Sequence, residues 1–384
     1  MLNSQVGYAT DGGFPLQMRY LSELFSNTTL VVPCGGSENA AGLTPLSGNQ
    51  LVVEPLSIPI GTGIKRKLLI AVWLLKAGPT IWNAIRKADA VHAPIPGDVG
   101  TIGILFALLQ RKRIFIRHCG NWLRPKTIAE RFWKFGMEKL AGRNNAMLAT
   151  GGGPAPPSAR NSTIEWIFAT SLTKMQLVAS KRESLDPIRP RIVIACRQEE
   201  RKGTDVVIRS LPRVLSVFPN AQLTIAGGGS QLDRLKSLAD NCGVSENVRF
   251  LGQLSQTQVL GLLEASDLFC FPTSASEGFP KAVLEALAAG IPVVTTRVSV
   301  LPQLLSRGGG ILLETPEPVK VADAMIEVLS DPEQYEEMSK RAIETAREYT
   351  LENWQERIAE FLERSWRMDR PFRRYVQEHP VSPL

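Results

Sequence analysis

From residue 190 onward the chain alternates short apolar runs with amphipathic stretches. The runs Arg191–Cys196, Gln222–Ala226, Val248–Leu251, Leu268–Phe271, Pro292–Thr295 and Gly310–Leu313 are four to six residues long and almost unbroken in apolar character. Such runs predict strands covered on both faces. Between and after them, 3.6-residue periodicity predicts helices at about Asp205–Phe218, Gln231–Cys242, Thr257–Ala265, Ala282–Ala289, Val300–Leu305 and Val319–Leu329. This alternation implies a right-handed, doubly wound parallel sheet that binds ligands at the carboxyl ends of its strands. The first half carries a sparser version of the pattern. Strands are expected at Asp89–His92, Arg113–Arg117 and Ala146–Thr150, and helices at Leu16–Phe25, Val99–Leu109 and Arg131–Leu140. Gly151-Gly152-Gly153 ends the last of these strands, and Pro154, Pro156 and Pro157 exclude an immediate helix. Residues 181–190 are polar and Pro-containing, a linker. Two further helices, Glu333–Tyr349 and Leu351–Met368, close the pattern. The expected division is 1–184, 185–348 and a terminal helix with its tail in 349–384.

At 384 residues, 44% hydrophobic and 21% charged, the chain suits two globular domains and not a disordered state. Its five cysteines form no C-x-x-C, which fits a reducing compartment and offers no zinc or disulfide framework. Leu68–Leu75 and Ile102–Leu109 fall far short of the roughly 20 apolar residues a bilayer span needs, so a cytoplasmic protein is expected. Charge is uneven: residues 1–180 hold 19 Lys and Arg against 9 Asp and Glu, and the remainder 25 against 28. A basic first half suggests an acidic partner there. Lys65–Lys87 mixes cations with Trp73, Trp82 and an apolar run, and Arg131-Phe-Trp-Lys-Phe135 repeats that texture. Two readings stay open: contact with the inner face of an anionic membrane, or core helices with snorkelling lysines. No nucleic-acid partner is expected.

The most informative segment runs from Leu268 to Gly290: an apolar strand, a polar turn, then an apolar helix, with Glu277 and Glu285 eight residues apart. A Gly-containing turn opening onto a helix offers backbone N–H groups to a phosphate. Glu277 in that turn and Glu285 in the helix can each accept from sugar hydroxyls. The plainer reading makes Glu277 a cap and Glu285 a solvated residue. Glu285 lies among Val283, Leu284, Ala286 and Leu287, where a carboxylate needs partners.

This segment resembles the E-x7-E signature of retaining glycosyltransferases of the GT-B fold, family 4, the "glycosyl transferases group 1". Arg191–Arg197 followed by Gln198–Gly203, the run Ala221–Gly229 and Asn247–Gly252 resemble other elements of that family in the same order. The likeness covers roughly residues 190–310. It implies an α/β chain of two Rossmann-like domains facing each other across a cleft, with a last helix crossing back to the first domain. It further implies that Arg197 and Lys202 clamp the donor diphosphate, assisted by backbone N–H groups of Gly278 and Phe279, with Pro280 beside the donor. Glu277 would hold the donor sugar, Glu285 the ribose, and the neighbourhood of Arg249, Phe250 and Leu251 the base. Gly12 and Gly13 would let the first-domain loop approach the diphosphate, and His118 would face the donor sugar. One departure stands out: the family opens on a complete apolar strand, whereas Met1–Thr10 is polar, so a degenerate strand or a start further upstream is expected.

The resemblance implies transfer of a hexose-type sugar, with retention, from a UDP- or GDP-sugar to a saccharide acceptor, polyprenyl-linked where the membrane reading holds, in cell-surface polysaccharide synthesis. Without an Asp-x-Asp motif, no metal and no cofactor are expected. The alternatives are a non-catalytic sugar-nucleotide-binding subunit, which the poor first strand would favour, and a nucleotide-sugar epimerase, which three histidines make a poor fit.

Overall fold

A computed structural model of the chain describes residues 2–4, 7–10, 12–36, 43–59, 61, 63–125, 127–153, 155–179, 185–275 and 278–372. Along the first domain run β1 (Leu2–Ser4), β2 (Gly7–Thr10), α1 (Phe14–Ser22), β3 (Thr28–Pro33), β4 (Gly35–Gly36), β5 (Thr44–Pro45), β6 (Leu51–Leu56), α2 (Gly63–Lys87), β7 (Ala90–Ile95), α3 (Asp98–Leu109), β8 (Arg113–His118), α4 (Ile128–Leu140), β9 (Asn145–Thr150), β10 (Glu165–Ile167) and α5 (Lys174–Ala179). The parallel sheet β10-β9-β8-β7 is its centre. Helices α2, α3 and α4 share one core with that sheet, burying Trp73, Ile81, Ile104, Trp133 and Met137 with Ile114 and Ile116. Thr127 and Glu130 form a reciprocal capping box that fixes where α4 begins. His92 is half-buried and neutral: its ring stacks on Phe115, and desolvation pushes its pKa down to about 3.

The described part of the polar start makes only short strands, and β1 pairs in parallel with the two-residue β4. β1 and β2 form an antiparallel hairpin, flanked by β4 and β5. Strands β3 and β6 pair in parallel over six residues, and neither was expected from the sequence. Both carry a proline and are only partly buried, so their apolar pattern is weak.

The second domain follows the alternation closely: β11 (Arg191–Ala195), α6 (Thr204–Leu215), β12 (Gln222–Ala226), α7 (Leu232–Asn241), β13 (Val248–Gly252), α8 (Gln256–Glu264), β14 (Leu268–Phe271), α9 (Lys281–Ala288), β15 (Val293–Thr296), α10 (Leu301–Leu304), β16 (Gly310–Leu313) and α11 (Pro318–Ser330). Its six strands are parallel in the order β13-β12-β11-β14-β15-β16. The order reverses between β11 and β14, so a crevice opens above their carboxyl ends. At the opposite ends Asp267, 1% exposed, takes both a backbone and a bidentate side-chain contact from Arg191. That pair locks β11 and β14 together away from the crevice.

Helix α12 (Pro332–Arg347) packs on α9, and α13 (Leu351–Trp366) runs back over the first domain. Leu351, Trp354, Ile358 and Leu362 form its buried stripe, at helical spacing. Gln355 donates to the Tyr20 carbonyl, Tyr20 to Glu352, and Trp366 to the Asn144 carbonyl. Among the described residues no helix is long and apolar enough to cross a membrane.

Candidate functional site

Loops from both sides of the strand-order reversal meet above the second sheet. After β11, the loop to α6 is anchored by Gln198, whose buried amide donates to the carbonyls of Cys196 and Ala226 and accepts from Thr204. The Gly-rich turn after β12 closes on the same strand end. A Cβ on Gly227 would sit 1.9 Å from the Cys196 carbonyl oxygen, and one on Gly229 2.3 Å from that of Gln198. Only glycine fits there, so this turn shapes the loop that carries Arg197 and Lys202. Arg197 is exposed and Lys202 half-buried. Glu199 lies between them in sequence; hydrogen bonds from Ser230 lower its pKa, and the charges of Arg197 and Lys202 lower it further.

The 197–203 loop is tied to the turn after β14. Ser274 and Ala275 donate backbone N–H groups, and Thr273 its hydroxyl, to the Arg201 carbonyl. Gly203, at φ +89°, lies where a Cβ would approach the Pro272 carbonyl oxygen to 2.4 Å. The structure therefore joins the Lys202 loop to the turn that leads into Glu277. Glu277 itself lies outside the described residues. Its neighbour Gly278 faces the first domain, where an added Cβ would lie 3.6 Å from the Gly120 carbonyl oxygen.

That approach brings the loop after β8 into the site. His118 is fully buried, edge-on to Trp122 with ring centroids 5.3 Å apart. Burial is the main cause of its lowered pKa, with nearby Glu130 opposing it. The Gly120 backbone also favours the charged ring, yet neither ring nitrogen makes a hydrogen bond of good geometry. The ring thus holds two buried nitrogens without a hydrogen-bond partner, an uncommon state for buried polar atoms.

Glu285 is buried, 8% exposed. It accepts from Ser171 at 3.2 Å and more weakly from Gln256 at 3.4 Å. Burial raises its pKa; Lys281, Ser171 and Gln256 pull it back in that order. Ser171 lies between β10 and α5 of the first domain, Gln256 opens α8, and Lys281 opens α9. None of the three was expected from the sequence. Lys281 stands inside the Glu277–Glu285 segment, whereas nothing local marks Ser171.

One expectation needs correction. Helix α9 begins at Lys281 after Pro280, whose φ of −80° and ψ of 90° keep it out of the helix, so Gly278 and Phe279 do not open it. The Phe279 ring packs with Phe168 and Tyr349 where the domains join, leaving only its backbone for a ligand. Gly12 and Gly13 differ. Gly12 adopts φ +72° with open space around it, while a Cβ on Gly13 would meet Ser171 at 3.0 Å and Lys281 at 3.5 Å. Arg249 and Leu251 are exposed on β13, and Phe250 packs into the core. No cluster of potential metal ligands occurs among the described residues. A hollow of about 380 Å³ lies behind the loop, between α6 and α7, lined by the second domain alone.

Residues 179–345 match the family model described as "Glycosyl transferases group 1". The GDP-mannose-dependent monoacylated alpha-(1-6)-phosphatidylinositol monomannoside mannosyltransferase of Corynebacterium glutamicum is 36% identical over 148 residues, 36% of this chain and 38% of that protein. The D-inositol 3-phosphate glycosyltransferase of Corynebacterium jeikeium is 34% identical over 161 residues, 40% of this chain and 38% of that protein. The matches thus span about two fifths of the length of these curated relatives. Among solved structures, Anabaena HepE in complex with UDP and glucose superposes with a TM-score of 0.67 at 15% identity, covering 92% of this chain and 96% of that one. Sucrose-phosphate synthase from Thermosynechococcus elongatus gives 0.69 at 14% identity, covering 95% and 97%. The chain therefore has the GT-B fold, and its residues 179–345 are similar to the group 1 glycosyl transferases.

Proposed function

We propose that the protein is a retaining glycosyltransferase that moves a hexose-type sugar from a nucleotide-sugar donor to a lipid-linked saccharide acceptor. One observation carries the reading. Two loops, one holding Arg197 with Lys202 and the other Gly278, meet the carboxyl end of β8 that carries His118 where the second sheet reverses its strand order. Fixed cations there would stabilise the charge that builds on a departing nucleoside diphosphate, with no metal required. Glu277 would orient the donor sugar and favour its oxocarbenium-like state, while His118 Nδ1 or Nε2 would bond a sugar hydroxyl. Glu285 would accept from the ribose. Attack and departure would share one face of the ring, with the leaving phosphate taking the acceptor's proton.

The relatives' names support a GDP-hexose donor over a UDP-hexose, and a phosphatidylinositol-type lipid among the acceptors. The enzyme would then work as a peripheral protein at the inner face of the membrane, in the assembly of cell-surface glycoconjugates. The test is nucleoside diphosphate release from UDP-, GDP- and ADP-sugars, with and without membrane lipid extract and EDTA, for wild type and Glu277→Ala. Release from one donor, stimulated by lipid, unchanged by EDTA and lost in Glu277→Ala, is expected. Nucleotide binding without release from any donor would replace the enzyme with a binding subunit.

A further inference from the structure

Helix α4 has two differently built sides. Its inner side walls the site: Lys134 donates to the Trp122 carbonyl with its ammonium over that indole, and Glu130 comes within 2.7 Å of where a Gly120 Cβ would be. Its outer side exposes Ile128 (83%), Phe132 (61%) and Phe135 (54%) in one helical stripe, with Leu123 (53%) just ahead. Arg131 and Lys139 lie on the same outer side, both exposed. The two acids of α4 are turned to other work. Glu130 closes the capping box, and Glu138 accepts from Ser158 and pairs with Arg160. An apolar stripe fringed only by cations is thus continuous with the lip of the cleft. The surrounding chain has the same sign: residues 61–150 hold 16 Lys and Arg against 4 Asp and Glu.

We propose that the outer face of α4, with Leu123, docks on an anionic phospholipid bilayer. A soluble protein surface gains nothing from three large apolar side chains in a row, whereas a headgroup boundary accepts such side chains and attracts the cations beside them. Docking by this helix sets the His118 loop against the bilayer, so a lipid-linked acceptor reaches the cleft without leaving the membrane. That last step rests on the proposed transfer reaction; the docking does not.

The experiment is sedimentation of the full chain with vesicles of phosphatidylcholine alone or mixed with phosphatidylglycerol, for wild type, Phe132→Asp/Phe135→Asp and Arg131→Gln/Lys139→Gln. Thermal melts confirm folding, light scattering gives the oligomeric state, and nucleoside diphosphate release without acceptor is followed in parallel. The wild type is expected to bind the anionic vesicles, and each double variant to bind them roughly tenfold more weakly. Acceptor-free release should be unchanged in both variants, while transfer into lipid extract falls. Vesicle binding that ignores both variants overturns the proposal. So does an oligomer that the Phe132→Asp/Phe135→Asp variant dissociates while the wild type ignores vesicles, since the stripe would then serve a second copy of the chain. Sensitive vesicle binding without release from any donor would leave the docking standing and remove the transferase reading.

Discussion

If Glu285 binds the ribose as proposed, it carries a conflict between stability and binding in one residue. Its folded pKa is raised, first by burial, so the folded state holds its proton more tightly than the unfolded chain does. By linkage, the ionised form costs stability above the folded pKa, and that cost disappears as pH falls below the ordinary carboxylate range. Glu285→Gln keeps the shape and removes the charge. The variant should melt no lower than wild type at neutral pH, and any gain should shrink on acidification, as scanning calorimetry across pH would show. Its donor affinity should nevertheless drop about tenfold to a hundredfold, the range for losing a charged acceptor from a buried hydrogen bond. Titration calorimetry with the nucleoside diphosphate checks this; an unchanged affinity would remove Glu285 from the donor site. The spacing of Glu277 and Glu285 and the apolar run around Glu285 made both visible in the sequence. Ser171 was not, because it lies 114 residues from its partner and carries no local pattern.

Among the elements, the second domain was the more legible. Its strands are covered on both faces and read as unbroken apolar runs, and observed boundaries such as Leu268–Phe271 and Gln222–Ala226 coincide with the expected ones. β3, β6 and β10 escaped because a half-buried or three-residue strand leaves little periodicity to read. The Lys202 loop shows how backbone geometry at one position controls an element of the proposed site. Gly203 is left-handed, caps α6 and leaves no room for a Cβ beside the Pro272 carbonyl. Gly203→Ala should cost about 1–3 kcal/mol, since the strain and the clash fall on backbone atoms. It should also raise the donor KM more than it lowers kcat, by displacing Lys202. Urea unfolding and donor kinetics test the two effects separately, and a wild-type KM would show that Lys202 acts independently of this turn.

At the scale of the molecule, α13 straps the second domain to the first. Trp366 at its end is 5% exposed, donates to the Asn144 carbonyl and lies under the Arg113 guanidinium. Trp366→Ala should cost roughly 3–5 kcal/mol, as for other large buried aromatics. The loss falls on the first domain's contacts, so calorimetry should show that domain melting ahead of the second; one unchanged transition would mean the strap contributes little. The sequence by itself determined the alternation of strands and helices and the two-domain division it implied, and it supplied the candidate residues of the proposed site. Those follow from local periodicity and from chemistry that short segments carry whole. Tertiary structure alone decided that Gly203 meets Pro272, that Gly278 faces Gly120, that Ser171 and Gln256 satisfy Glu285, and that the acids of α4 turn away from its exposed stripe. These contacts join segments tens to hundreds of residues apart, and only packing brings such segments together.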